Sequence, residues 1–457
     1  MVRSARSATL VSTLGLLALC GATTNAMASG FALREESAEG LGNAYAGQTA
    51  KAYNVSTVYY NPAGMSLLDE TEVAGTTTWI APNAKFTGQN SSPLGGNVSG
   101  TLPDNAIKPA AIGSIFAQTK LNDDWHMGLS VAAPFGMRSE YKEDWVGRYQ
   151  ALASDVTDID TSVVFSYKVN DKFSVGGGPR LSYFDTRLTQ AINTKAIGLG
   201  IAQQLANAGQ FAQAGVVQGL ANGWGDGQGK VAGDDYAFGY NLGALYKFDE
   251  GTRIGIDYRS RVFHKIDGQA TYQVPTSTSN ISQLASAFAN RNATAKMTLP
   301  DSLAVGGYHE INDQWAVMSD VSWTHWGLFK QLNITDSSGN NVSNTQENWH
   351  DTWFMSLGAN YKVAPQWTLH GGVAFDQAAV KEVNMTARIP DSNRYWTSLG
   401  VSYEVTPNVG LHLGYTHIFG EKVNINETSN SNAATGTLTG SYSTSADIVS
   451  TSFAMKF

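Results

Sequence analysis

The chain has 457 residues, a net charge of -8, 15% charged residues, 11% aromatic residues and 47 glycines. The acidic balance excludes a nucleic-acid binder, and beyond the N-terminal segment no apolar run is long enough for a membrane helix. The charged fraction nevertheless sits well below the roughly 25% of an ordinary globular protein.

The N-terminus reads as a signal peptide over 1–28: Arg3 and Arg6, an apolar stretch from Leu10 to Cys20, and Ala26-Met27-Ala28 as a cleavage pattern before Ser29. An alternative, lipid acylation at Cys20, wants a small residue before the cysteine, and Leu19 stands there. Cys20 is the only cysteine, so the exported part has no disulfide, thiolate metal site or cysteine nucleophile. Its length suits one large barrel or two to three soluble domains.

Residues 29–70 are turn-rich and irregular, with Gly40-Leu41-Gly42 and Asn61-Pro62-Ala63-Gly64, and read as a hatch, plug or appendage ahead of a sheet. Alternation begins near Thr71, and 71–457 is expected to form an all-β, antiparallel transmembrane barrel. The early strand His126 to Met137 is interrupted by Ala133-Pro134-Phe135-Gly136. Proline removes a ladder donor and glycine weakens the strand, so either pairing fails and the wall opens, or the strand ends at its external loop. Long external loops are expected at about 138–160 and 186–235, and shorter ones at Thr335–Asn348 and Asn424–Ser445. Within the second, Ile197, Ile201 and Leu205 recur at helical spacing, an apolar stripe that lines a groove or packs on a neighbouring loop.

The second half is written in period two. Tyr395, Thr397, Leu399, Val401, Tyr403 and Val405 share one face, and Trp396, Ser398, Gly400, Ser402 and Glu404 the other. Strand ends rich in Trp and Tyr, and charge on the face opposite the apolar one, favour a membrane barrel with a wet lumen over a packed sandwich. The last strand ends on Phe457, with Val449, Thr451, Phe453 and Met455 on the same face. A terminal aromatic of this kind resembles the signal read by the barrel assembly machinery. The histidines show no metal-ligand spacing, and Asp155, Asp158 and Asp160 read as a solvated acidic turn rather than a calcium loop. No metal or cofactor is expected.

Gly40-Leu41-Gly42-Asn43-Ala44-Tyr45-Ala46-Gly47, Asn61-Pro62-Ala63, Leu299-Pro300-Asp301, Asp351-Thr352-Trp353, Gly372-Val373-Ala374-Phe375-Asp376 and Ile389-Pro390-Asp391-Ser392-Asn393-Arg394-Tyr395-Trp396 follow one another in order. As an ordered set they resemble the FadL-type outer-membrane transporters of long-chain fatty acids and other hydrophobic compounds. The resemblance implies about 14 strands, an N-terminal hatch, capture in an external groove, transfer to an inner pocket and exit beside a kinked third strand. It points to Phe31, Asn61, Pro62 and Ala63 for the hatch and to Ala133, Pro134, Phe135 and Gly136 for the lateral opening. For the substrate it points to Arg187 and Arg259 besides the helical stripe. The family's pocket arginine falls on Gln190, its lysine near Thr345 and its serine near Ala133; Arg187 substitutes only through a bulge.

The expected function is passive uptake of long-chain fatty acids or similar hydrophobic molecules at the Gram-negative outer membrane, by a monomer set in outer-membrane lipid and lipopolysaccharide. Uptake of aromatic hydrocarbons is the alternative within that class. A diffusion porin would lack a plug, and a lipid hydrolase would need a Ser/His constellation at the rim.

Overall fold

The computed structural model describes residues 30–92, 96–428, 432 and 434–457; the signal peptide expected at 1–28 and Ser29 lie outside them. Fourteen strands form one antiparallel barrel. They are β1 Glu72–Ser92, β2 Ala110–Lys120, β3 Trp125–Glu140, β4 Ala153–Asn170, β5 Phe173–Ile192, β6 Gly227–Lys247 and β7 Thr252–Arg259, then β8 Ser302–Glu310, β9 Trp315–Thr324, β10 Thr352–Ala364, β11 Trp367–Asp376, β12 Arg394–Thr406, β13 Val409–Gly420 and β14 Thr437–Lys456. A ladder from Glu72↔Lys456 to Ser91↔Thr437 joins β14 to β1 and closes the ring. Closure at this seam pairs β1 and β14 along their lengths, as strands that cross a membrane require.

Alternation sets the two faces. Along β12, Tyr395, Thr397 and Leu399 are exposed while Trp396, Ser398 and Ser402 are buried. Aromatic pairs ring the short-turn end: Trp125–Tyr167 at 4.8 Å, Trp315–Tyr361 at 4.5 Å and Trp367–Tyr403 at 4.4 Å between ring centroids. Aliphatic side chains such as Leu357, Val373 and Leu413 cover the band between the girdles. In barrels of this kind the short turns face the periplasm and the long loops the exterior.

The external loops are shorter than the sequence suggests. β3 runs to Glu140 and β4 begins at Ala153, so the loop expected at 138–160 shrinks to 141–152. The one expected at 186–235 shrinks to 193–226, because β5 and β6 pair out to Ile192↔Gly227. Thr335–Asn348 is largely a hairpin of Gln331–Asp336 with Asn341–Gln346. Likewise Asn424–Ser445 contains the strand Val423–Glu427 and the start of β14. In each case a neighbouring strand offers backbone partners that override a polar, turn-like composition.

Residues 30–68 lie inside the ring, most of them buried. The helix Ala38–Gly42 contacts β11 to β14, and the 3-10 turn Pro62–Leu67 contacts β3 to β6. Glycines on the wall allow this approach: a side chain at Gly372 would overlap the Asn43 carbonyl, and one at Gly414 the Ala38 carbonyl.

Leu399 points into the middle of the lipid band, and Val405 ends the same strand at the turn side. Leu399→Arg is expected to cost about 2–4 kcal/mol of folding free energy and Val405→Arg about 0–1 kcal/mol. Denaturant titration of the protein in lipid vesicles checks this depth dependence.

Candidate functional site

A groove of about 620 Å³ opens among the long loops, lined by Leu188, Ile192, Ile197, Val231, Tyr272, Phe288, Leu332 and Ile334 among others. Ile197 on the helix α1 Thr194–Asn207 reaches its lining, and a second helix, α2 Phe211–Ala221, packs against α1. Asn193 caps the first, its side chain accepting from the Ala196 N–H at 2.9 Å. Below the groove lies a narrower apolar pocket of about 70 Å³, lined by Phe31, Met137, Val156, Phe184, Ile266, Met297, Phe329 and Ile389. Leu188, Val231, Leu332, Ile334, Glu347 and Arg388 line both spaces, so the two adjoin. The groove falls in the size range of small-molecule sites; the inner pocket must widen to take a long chain.

Phe31 forms the floor of that pocket. It is 1% exposed and meets Trp326 at 4.8 Å, Trp349 at 5.8 Å and Phe135 at 5.9 Å, all edge-on. Beside it the barrel wall is broken. β2 and β3 pair only from Ile115↔Val131 to Lys120↔His126, and pairing resumes as the single bridge Ile107↔Ser139. On its other side β3 carries a bulge, with Ala133 and Pro134 opposite the single residue Ile159. From Ala132 to Met137 every residue is buried, so the strand bends into the lumen.

The N-terminal residues cover this break as an added strand. The Leu33 N–H donates to the Pro134 carbonyl at 2.7 Å, and the Gly136 N–H donates to the Phe31 carbonyl at 2.9 Å. Glu36 accepts from the Ala133 N–H through its carboxylate, and from the Ser114 hydroxyl on β2 through its carbonyl.

Asn61, Pro62 and Ala63 anchor the segment against β4 to β6. The Asn61 side chain donates to the carbonyls of Thr49 and Ala244, and the Ala63 carbonyl accepts from Ser166 and Ser174. A side chain at Gly176 would come within 2.6 Å of the Ala63 nitrogen.

The expected substrate residues are not gathered in one place. Ile197 lines the groove; Ile201 packs into a loop cluster with Trp224 and Leu284; Leu205 does neither. Arg187 is a correction: β5 stays regular there, so the side chain points outward and pairs with Asp155. Arg259 also lies outside the apolar pocket. Its Nη2 donates to the Tyr59 carbonyl at 2.6 Å and its guanidinium covers the Tyr59 ring at 3.8 Å, tying the wall to the N-terminal segment. Sequence reading missed Arg388, Glu347 and the Trp326–Trp349 box, all in loop or strand-end segments that only the packed loops bring to the pocket.

Asp155, Asp158 and Asp160 take separate partners: Arg187, Ser182 and Arg180 respectively. Ser182, His264 and Asp235 line up with triad-like spacing, 3.1 and 3.0 Å. Ser182 is fully buried and donates its hydroxyl hydrogen to Asp158. At the short-turn end a separate space of about 720 Å³ is lined by Glu39, Glu72, Glu310, Glu404, His370 and His412, a polar vestibule unsuited to an oily guest.

A family model described as "Outer membrane protein transport protein (OMPP1/FadL/TodX)" matches residues 19–457. The chain belongs to this family. It is similar to the long-chain fatty acid transport protein of Escherichia coli (strain K12), with 29% identity over 423 residues, 89% of this chain and 91% of that one. The 47 kDa outer membrane protein of Pasteurella multocida (strain Pm70) is 30% identical over 427 residues, 92% and 94% of the two chains. In fold, the chain resembles a Pseudomonas aeruginosa FadL homologue (TM-score 0.82, 23% identity, 94% and 100% covered). It also resembles the Pseudomonas putida toluene transporter TodX (TM-score 0.63, 18% identity, 93% and 99% covered). Membership in the OMPP1/FadL/TodX family makes this an outer-membrane protein.

At the mouth of the inner pocket, burial pushes the Glu347 carboxyl up to about 7, against a bond from Trp349 Nε1 at 2.9 Å that favours its ionised form. A carboxyl raised on folding adds stability that is complete below about 4.5 and is lost as pH rises through about 7. Hydrogen exchange across 341–349, corrected for intrinsic rates, should therefore speed up between pH 5 and pH 8. Glu347→Gln should remove that dependence.

Proposed function

We propose that the protein takes up long-chain fatty acids by passive passage from the external groove to the inner pocket and then sideways through the break beside β3. One observation carries this reading: Phe31 is at once the floor of the apolar pocket and, through its carbonyl, the strand partner of Gly136 at the wall break. A chain entering the pocket pushes on the residue that closes the exit. Displacing residues 31–36 frees the gap between Ala110–Ser114 and Ala132–Met137, which opens toward lipid.

Capture needs no energy source. Each methylene taken out of water contributes about 0.8 kcal/mol, and several kcal/mol of association cost leave a micromolar-scale affinity for a long chain. Similarity to a long-chain fatty acid transport protein and a toluene transporter agrees with an apolar guest. The small inner pocket, with Gln190 and Thr345 at the family's basic positions, favours an aromatic hydrocarbon as the second reading. The same proposal holds that residues 1–28 are removed on export and that Phe457, 67% exposed at the chain end, is read by the assembly machinery.

Deleting Pro134 removes the one extra residue of the bulge and allows regular pairing of β3. Fatty acid uptake in a transporter-deficient strain is expected to fall to background, while heat-modifiable migration reports an intact barrel. Uptake at the wild-type rate would overturn the lateral route.

A further inference from the structure

Arg388 stands at the junction of groove and pocket, on the loop between β11 and β12. Its planar fork is held in place: Nη1 donates to the Ala153 carbonyl (3.2 Å), the Ser154 hydroxyl (3.1 Å) and the Thr189 carbonyl (3.3 Å), and Nη2 to the Gln190 side-chain carbonyl (2.9 Å). All four acceptors are neutral. Among the described residues no ion pair is formed by Arg388, although Glu347 and Glu427 lie close enough for their fields to reach it. Glu427 is turned to the loop backbone, accepting from the Ala387 N–H at 2.9 Å, and Glu347 accepts from Trp349.

A guanidinium drawn into an apolar setting without a carboxylate partner is costly, and neutral acceptors offset only part of the lost hydration. Anchoring the loop would need only a neutral donor. Placed where a groove of mixed polarity meets an apolar pocket, a preorganised fork suits a planar anion that arrives with an oily tail. Gln190, which occupies the basic position implied by the family resemblance, is the residue that orients this fork.

We infer that Arg388 receives the carboxylate of an incoming lipid, so that acids are sorted from neutral hydrocarbons at the neck of the pocket. This rests on the uptake reading above and names its substrate class. The headgroup pairs with the guanidinium while the tail occupies either the groove or the inner pocket. Glu347 sits beside this pair, and its ionised form opposes a second carboxylate.

The test is binding of a long-chain fatty acid and of the alcohol of equal chain length to the purified, folded protein. Wild type should prefer the acid by roughly tenfold, the scale of one charge-assisted pair. Arg388→Met should abolish that preference, so that acid and alcohol bind with similar affinity, and the alcohol binding that remains reports an intact pocket. Arg388→Lys should restore part of it, and Glu347→Gln should strengthen acid binding above pH 7. An acid preference that survives Arg388→Met overturns the inference, as does an equal loss of acid and alcohol, which would mark Arg388 as a structural anchor only. Wild-type protein that binds neither ligand would instead refute the uptake reading itself.

Discussion

Backbone groups at membrane depth must find hydrogen-bond partners within the protein, and β3 breaks that rule with its neighbour β2. The residues from Ala132 onward turn away from β2 and would leave a row of amides and carbonyls unpaired. The N-terminal residues satisfy them. That need fixes where Phe31, Leu33 and Glu36 lie, and through Phe31 it fixes the floor of the pocket. The N-terminal segment, the break beside β3 and the pocket floor are thus parts of one hydrogen-bonding problem.

The interior is divided by chemistry along its length. In the lower part, charged side chains are compensated in place: Arg180 with Asp160, Lys51 with Glu39, and the Thr49 hydroxyl and N–H with Asp320. The Thr49–Asp320 bonds tie the segment 30–68 to the wall, and removing one partner of a buried pair would leave an uncompensated charge. Higher up, Arg394 is compensated in the same way by Asp376 and Asp391, beside an inner pocket lined mainly by Phe, Met, Ile and Leu. An apolar guest finds its most apolar surroundings in that pocket, above Phe31. Water and small ions meet a filled lumen below it, which sets this barrel apart from an open diffusion pore.

The barrel was legible because its signal is local. Period-two alternation in β10 to β14, aromatic strand ends and proline turns each depend on a few neighbouring residues, and the observed faces agree with them. The break at Ala133-Pro134-Phe135-Gly136 was legible for the same reason, since a proline's missing donor is written in the sequence. Loop lengths were not, because polar strands beyond the membrane are held only by their partners. Arg187 misled for a related reason: proximity to Gln190 in sequence says nothing on a strand whose faces alternate. Arg388 was invisible, since its neighbours Ala153, Ser154, Thr189 and Gln190 come from two distant strands.

Position along one loop links the pocket neck to the closed exit. Arg388 faces the neck, and three residues on, the Asp391 carboxylate accepts the Gly30 N–H at 3.2 Å together with those of Ala379 (2.6 Å) and Val380 (3.3 Å). Arg394 in turn lies 3.3 Å from Asp376 and 3.4 Å from Asp391. The loop therefore grips the residue preceding Phe31 with the same short stretch that presents a cation to the neck. Tight packing does not deform by small continuous steps; it exchanges one arrangement for another. A displacement of this loop consequently acts on Gly30 and Phe31 directly, without a relay through the barrel wall. The strands hold the frame, and the loop and the N-terminal residues are tied to each other through Asp391 and Gly30.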